Sequence, residues 1–243
     1  MLDFLVIGAQ KSGTTWLYRE LNRHQRISFP GGKEVHFWDL FRSRGIPWYL
    51  ELFSLQDGKI HGDVTPAYSV LPIEIIHECQ QHFPDIRLIY SMRNPIERAW
   101  SAAKMDAVKL GMNVPELPDS WFISHFLSVE SMARGDYEGC IKNWLSFYPR
   151  KKLLLLRFEE ITTNPEAYIN KCLMHLELET VTSAKTSGTH FNPTDSSELR
   201  KKVREGHPAA LRPSLQAVLE DIYHPRIKSL ASYLGEDFAE WLS

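Results

Sequence analysis

Cysteine is scarce in this 243-residue chain: Cys79, Cys140 and Cys172 stand far apart and form no C-x-x-C pair. An odd count at such spacing argues against a disulfide framework or a structural zinc site, and reads as buried free thiols in a reducing compartment. No window approaches the roughly 20 apolar residues that a membrane-spanning helix needs. No signal-peptide h-region precedes the first apolar run, which begins almost at Met1. The chain therefore reads as cytoplasmic, a pattern shared by a chain separated from an N-terminal anchor. A global basic field is missing too, since 28 Lys and Arg face 30 Asp and Glu for a formal charge of −2. That argues against a nucleic-acid partner and makes any anion site a local one. No acidic cluster with ligand spacing asks for a metal. There is no internal repeat and no long linker, so residues 1–243 read as one domain. A chain of this length buries a sizeable core.

Strands and helices alternate along the sequence. Phe4-Leu5-Val6-Ile7, Ile86 to Ser91 and Leu153 to Leu156 are apolar runs of buried-strand type, and Gly62-Asp63-Val64 reads as a strand end. Helical spacing covers about 14–25, 48–54, 72–83, 95–105, 121–133, 137–148, 165–175 and 208 to the end. Asn94 suits a helix cap with Pro95 in the first turn. Residues 107–120 and 180–197 read as loops, the second rich in Thr, Ser and Gly. The pattern predicts an α/β fold: a central parallel sheet flanked by helices.

The most informative stretch runs from Phe4 to Thr15, a strand followed by Gly8-Ala9-Gln10-Lys11-Ser12-Gly13 and the helix start Thr14-Thr15-Trp16. Such a turn cradles a phosphate-like anion. The helix start supplies free N–H groups and about half a positive charge, Lys11 adds a full charge, and the hydroxyls add donors. A Walker A loop, G-x-x-x-x-G-K-(S/T), places its Lys after the second glycine. Here Lys11 precedes Gly13 by two residues and Thr14 stands in the Lys position. The alternative is a tight strand-to-helix turn with an ordinary exposed Lys.

Three further segments sharpen the reading. Ser91-Met92-Arg93-Asn94-Pro95 to Ser101 follows a strand, and parallel strands bind ligands at their carboxyl ends. Arg93 and Ser101 can meet an anion there, or Arg93 can pair with a carboxylate, as Arg98 is expected to do. Lys33-Glu34-Val35-His36-Phe37-Trp38-Asp39 offers two candidate bases, Glu34 and His36, whose imidazole class titrates near neutrality. Lys11 and Lys33 are expected to oppose desolvation at Glu34. The plainer reading makes Lys33 and Glu34 an exposed pair and packs His36 under the aromatics. Gly62-Asp63-Val64-Thr65-Pro66-Ala67-Tyr68 is the remaining segment.

Taken together, K-S-G-T-T-W, R-(D/N)-P-x-x-R-x-x-S, K-E-x-x-F-(F/W)-D and the T-P-x-Y turn resemble the sulfotransferases that use 3′-phosphoadenosine 5′-phosphosulfate (PAPS), in particular the heparan-sulfate and bacterial type. The resemblance covers nearly the whole chain and implies their P-loop-kinase-like fold. It implies that Lys11, Ser12, Gly13, Thr14, Thr15 and Trp16 line the 5′-phosphosulfate and that Arg93 and Ser101 hold the 3′-phosphate. It also implies that Glu34 is the general base, and that Tyr137 and Arg204 contact the nucleotide. Tyr137 is equally suited to a core role, and the late K-G-R loop of the family is replaced here by Lys201-Lys202-Val203-Arg204-Glu205-Gly206. Val64 stands where the family often has Lys, which puts a polyanionic sugar acceptor in doubt.

The activity implied is sulfuryl transfer from PAPS to a hydroxyl of a carbohydrate or small metabolite, or to an amine, releasing 3′-phosphoadenosine 5′-phosphate (PAP) without a metal. The competing classes are a P-loop nucleotide kinase or triphosphatase, which magnesium dependence would reveal, and a non-catalytic nucleotide-binding protein. Phe37, Trp38, Trp48, Tyr49 and Tyr68 are candidates for an acceptor pocket or for core. The oligomeric state is not legible in the sequence.

Overall fold

The computed structural model describes residues 1–180 and 208–243. Arg204, its basic neighbours and most of the loop expected at 180–197 lie outside the described residues. Strand β1 (Leu2–Gly8) is buried along its length except for half-buried Asp3. Apolar side chains on both faces suit a strand with parallel neighbours on both sides. Strands β3 (Ile60–Val64) and β4 (Arg87–Met92) flank β1 in parallel. The short β2 (Ile27–Ser28) and β5 (Leu153–Arg157) complete a five-stranded sheet of order β2-β3-β1-β4-β5. With two residues, β2 is too short for any periodicity to announce it.

This order carries functional information. From β1 the chain builds the β3 side first and then crosses to β4, so the strand order reverses at β1. Open α/β sheets bind ligands outside the carboxyl ends of the strands at that reversal. The register sets Val6 beside Val64 and Gly8 beside Tyr90. Ala9 N–H donates to Ser91 O (2.7 Å) and Thr65 N–H to Val6 O (3.2 Å), which ties the loop after β1 and the turn after β3 to the sheet edge.

Among the described residues the α-helices are α1 (Thr14–Leu21), α2 (Ile46–Leu52), α3 (Ile73–His82), α4 (Pro95–Lys109), α5 (Asp119–Phe126), α6 (Val129–Arg134), α7 (Tyr137–Leu145), α8 (Glu159–Thr163), α9 (Pro165–His175) and α10 (Pro213–Leu234). The single helix expected over 121–133 is two, because the Ser128 hydroxyl caps a new helix by accepting from Ser131 N–H at 3.2 Å. The last helix stops at Gly235 (φ 66°), a left-handed C-cap, and not at the chain end. Asn94 caps α4 as expected, its side chain accepting from Ile96 N–H at 2.9 Å.

Over the described residues two compact units are formed, 1–92 with 143–180 and 93–142 with 208–243. Each draws on two separate stretches of chain. The first holds the sheet, and Phe4, Val6, Leu17, Ile89, Leu156 and Tyr168 belong to its core. In the second, α4, α5 and α10 pack together. There Arg98 is fully buried and has no carboxylate partner among the described residues, contrary to expectation. Its Nη2 donates to Ser131 O at 3.0 Å and to the Tyr223 hydroxyl at 3.2 Å. The helical faces around it offer neutral oxygens in place of an acid.

All three cysteines are free and buried. Burial pushes the Cys79 thiol up to about 12 and the Cys172 thiol higher still. The thiolate is the reactive form. The native protein should therefore resist an aromatic disulfide reagent at mildly alkaline pH and release three equivalents only on denaturation. Rapid reaction of a native thiol would contradict this burial.

Candidate active site

The loop Ala9–Gly13 joins β1 to α1 with two residues in the left-handed region, Lys11 (φ 68°) and Gly13 (φ 80°). Gly13 occupies the N-cap position and no side chain caps α1, so the first-turn N–H groups keep no side-chain acceptor. Ser12 is fully buried and its Oγ has no hydrogen-bond partner among the described residues. Its carbonyl accepts from Ser91 Oγ (2.8 Å), which in turn accepts from the Tyr168 hydroxyl (2.8 Å). This buried relay fastens the loop to β4 and α9. Thr14 is buried and Thr15 exposed. Trp16 is buried, with its ring edge-on to Tyr168 at 5.6 Å, and serves as core.

The second element of the first unit is the turn Lys33–Phe41. Glu34 (φ 63°) and His36 (φ 56°) are both left-handed. Only four non-glycine residues take positive φ among the described residues, and three of them are Lys11, Glu34 and His36. Each costs about 1–2 kcal/mol for an L-residue, and strain of this kind concentrates at functional sites.

Sequence reasoning treated Glu34 and His36 as rivals, but the structure makes them neighbours. Glu34 Oε2 lies 3.6 Å from His36 Nε2, and His36 Nδ1 bonds Asp39 Oδ2 at 2.8 Å. Asp39 was missed as a site residue, although its i+3 spacing from His36 on one turn was the available signal. The Asp39 carboxylate accepts a hydrogen bond from the ring N–H at Nδ1, which leaves Nε2 facing Glu34. Burial raises the Glu34 pKa, yet the hydrogen bond and charge of Lys33, with His36, outweigh it and hold the carboxyl below its ordinary value. His36 takes the part expected of Lys11 in this balance. Phe37, Trp38, Tyr49 and Tyr68 are core, with Phe37 stacked on Tyr49 at 4.5 Å. Trp48 is half-buried, and the Arg44 guanidinium lies over its ring at 4.6 Å. Val64 is buried in the core.

In the second unit, Arg93 precedes Asn94, the cap of α4. Its Nη2 and Nε meet Glu97 Oε2 at 2.6 and 3.0 Å. Glu97 is largely exposed, so this ion pair is weak and open to exchange for a stronger anion. Tyr137 is buried and its hydroxyl donates to Arg93 O at 2.8 Å, fixing the backbone at that residue. Ser101 is half-buried on α4, two turns along from Arg93. A cavity of about 310 Å³ is lined by Tyr137, Asp136, Glu138, Lys142, Arg226 and Trp241. Its two carboxylates, one of them paired with Lys142, make it a poor anion site.

The sulfotransferase domain model matches residues 2–230. Heparan sulfate glucosamine 3-O-sulfotransferase 6 of Mus musculus is 29% identical, over 96% of this chain and 72% of its own length. A sulfotransferase from Alicyclobacillus acidocaldarius shares the fold, with TM-score 0.77 and 21% identity over 100% of this chain and 99% of that one. A mouse sulfotransferase complexed with PAP has TM-score 0.60 and 18% identity, over 96% of this chain and 88% of that one. With the family model covering nearly its whole length as one α/β domain, the chain belongs to the sulfotransferase family.

Proposed function

We propose that the protein transfers a sulfuryl group from PAPS to an acceptor hydroxyl of a carbohydrate or small metabolite and releases PAP. The observation that carries this reading is the uncapped start of α1, with left-handed Lys11 and the unpartnered Ser12 Oγ in the loop before it. These are the donors that a phosphosulfate group would satisfy. The relative complexed with PAP and the 3-O-sulfotransferase relative favour the same donor and an oxygen acceptor.

PAPS supplies an activated sulfur whose bond to the 5′-phosphate oxygen breaks as the acceptor oxygen bonds to it. Lys11 and the N–H groups at the start of α1 stabilise the charge left on the departing phosphate. Glu34 Oε takes the acceptor proton, with His36 and Asp39 orienting it. Arg93 exchanges Glu97 for the 3′-phosphate, and Ser101 adds a hydroxyl donor. Tyr137 acts through the Arg93 backbone and not by direct contact.

Calorimetric titration with PAP, without magnesium and beside ADP and ATP, tests this. PAP should bind in preference to ADP, and Arg93→Ala should weaken PAP by about 10–100-fold while leaving ADP nearly unchanged. Preference for ATP with magnesium would return the Lys11 loop to the nucleotide kinases.

A further inference from the structure

Successive backbone amides of one turn are tied to one buried side chain through its hydroxyl partners. The Val35 N–H acts to lower the pKa of that side chain, Asp63. His36 N–H donates to Thr65 Oγ1 at 3.4 Å, and the Thr65 hydroxyl donates to Asp63 Oδ1 at 2.6 Å. Phe37 N–H donates to the Tyr68 hydroxyl at 3.0 Å, which donates to Asp63 Oδ2 at 2.9 Å. The Tyr49 hydroxyl adds a further donor to Oδ2 at 2.8 Å. Asp63 is fully buried at the end of β3, and no cation pairs with it among the described residues.

Each hydroxyl has one proton, and Asp63 claims it. The lone pairs of Thr65 and Tyr68 are thereby left to accept from the backbone of the turn. An apolar or amide side chain at position 63 would free these hydroxyls to turn, and the amides would lose oriented acceptors. The same turn carries the two left-handed residues, Glu34 and His36. Strained conformations persist only where the surroundings over-determine them. Burial raises the Asp63 pKa against the lowering effect of its donors Thr65, Tyr49 and Tyr68.

We propose that Asp63 is the positioning residue of the catalytic turn: through Thr65 and Tyr68 its carboxylate fixes residues 35–37 and so aims Glu34 and His36. The assignment rests on the reading of Glu34 as the base. Asp63 does not touch the reacting atoms. It acts on the proton-transfer step and leaves the Lys11 loop alone.

The test joins amide hydrogen exchange to kinetics. In Asp63→Asn, exchange at Val35, His36 and Phe37 should quicken by about tenfold or more while the β1 amides keep their protection. Misplacement of the base by about 1 Å should lower kcat by about 10–100-fold, with the KM for PAPS within about twofold. Added to Glu34→Gln, Asp63→Asn should cost less than about twofold more, because both changes disable one step. Thr65→Val, which leaves the carboxylate in place, should free the His36 amide alone, and Thr65→Ser should restore it. This pair keeps the test open if Asp63→Asn does not fold.

Unchanged protection at 35–37, protection lost throughout the first unit, or losses that multiply in the double variant would overturn the proposal. Full activity in Glu34→Gln would remove the base reading and the catalytic part of this assignment together. The exchange data decide the hold of Asp63 on the turn by themselves.

Discussion

Glu34→Gln should lower kcat by about 10²–10⁴-fold and leave the KM for PAPS within about twofold. The amide matches the carboxylate in shape but accepts no proton, so the loss falls on the step that activates the acceptor hydroxyl. Lys33 and His36 hold the Glu34 carboxyl below its ordinary value despite the upward effect of burial. A lowered pKa keeps the base ionised at neutral pH and further into acid than a free glutamate. Turnover should therefore stay level through neutrality and fall only as the pH drops through that lowered value. Initial rates with a responsive acceptor, taken from acid to neutral pH, check both statements. An acid limb near neutrality, where imidazoles ordinarily titrate, would move the proton to His36. Retention of the wild-type rate by Glu34→Gln would remove Glu34 from the chemistry.

The second large effect is expected at Gly13. In Gly13→Ala the new Cβ would stand 2.5 Å from Ile161 Cδ1 and 3.0 Å from Phe158 Cδ2, at a backbone φ of +80°. The left-handed conformation costs an L-residue about 1–2 kcal/mol and overpacking adds about 1–3 kcal/mol. We therefore expect destabilisation of about 2–5 kcal/mol, with PAP binding lost as the loop shifts away from the start of α1. Chemical denaturation gives the first quantity and calorimetry the second. Wild-type PAP affinity in Gly13→Ala would falsify the assignment of the loop to the phosphosulfate.

The two variants probe features of different visibility. The β1–loop–α1 unit is legible in the chain because its information is local: an apolar run, small residues where the backbone must turn left-handed, and a helix without a cap. The Asn94-Pro95 cap is legible for the same reason, as is Glu34 as a candidate base. Arg98 was misread, because sequence rules assign a buried cation an acid, whereas the fold surrounds it with Ser131 and Tyr223. The break at Ser128 was missed because apolar periodicity continues across it.

By itself the sequence determined the fold class and the family and marked a candidate anion loop and a candidate base segment, since each is written in a few consecutive residues. Tertiary structure alone decided how those residues are held. The relay from Tyr168 through Ser91 to Ser12 spans 77 and 79 positions of chain. The amides of His36 and Phe37 reach Thr65 and Tyr68 across 29 and 31 positions, only once the turn at 34–37 folds against the end of β3. Hydrogen bonds between distant segments leave no periodicity or spacing in a chain. Their geometry exists only when the sheet has set the register.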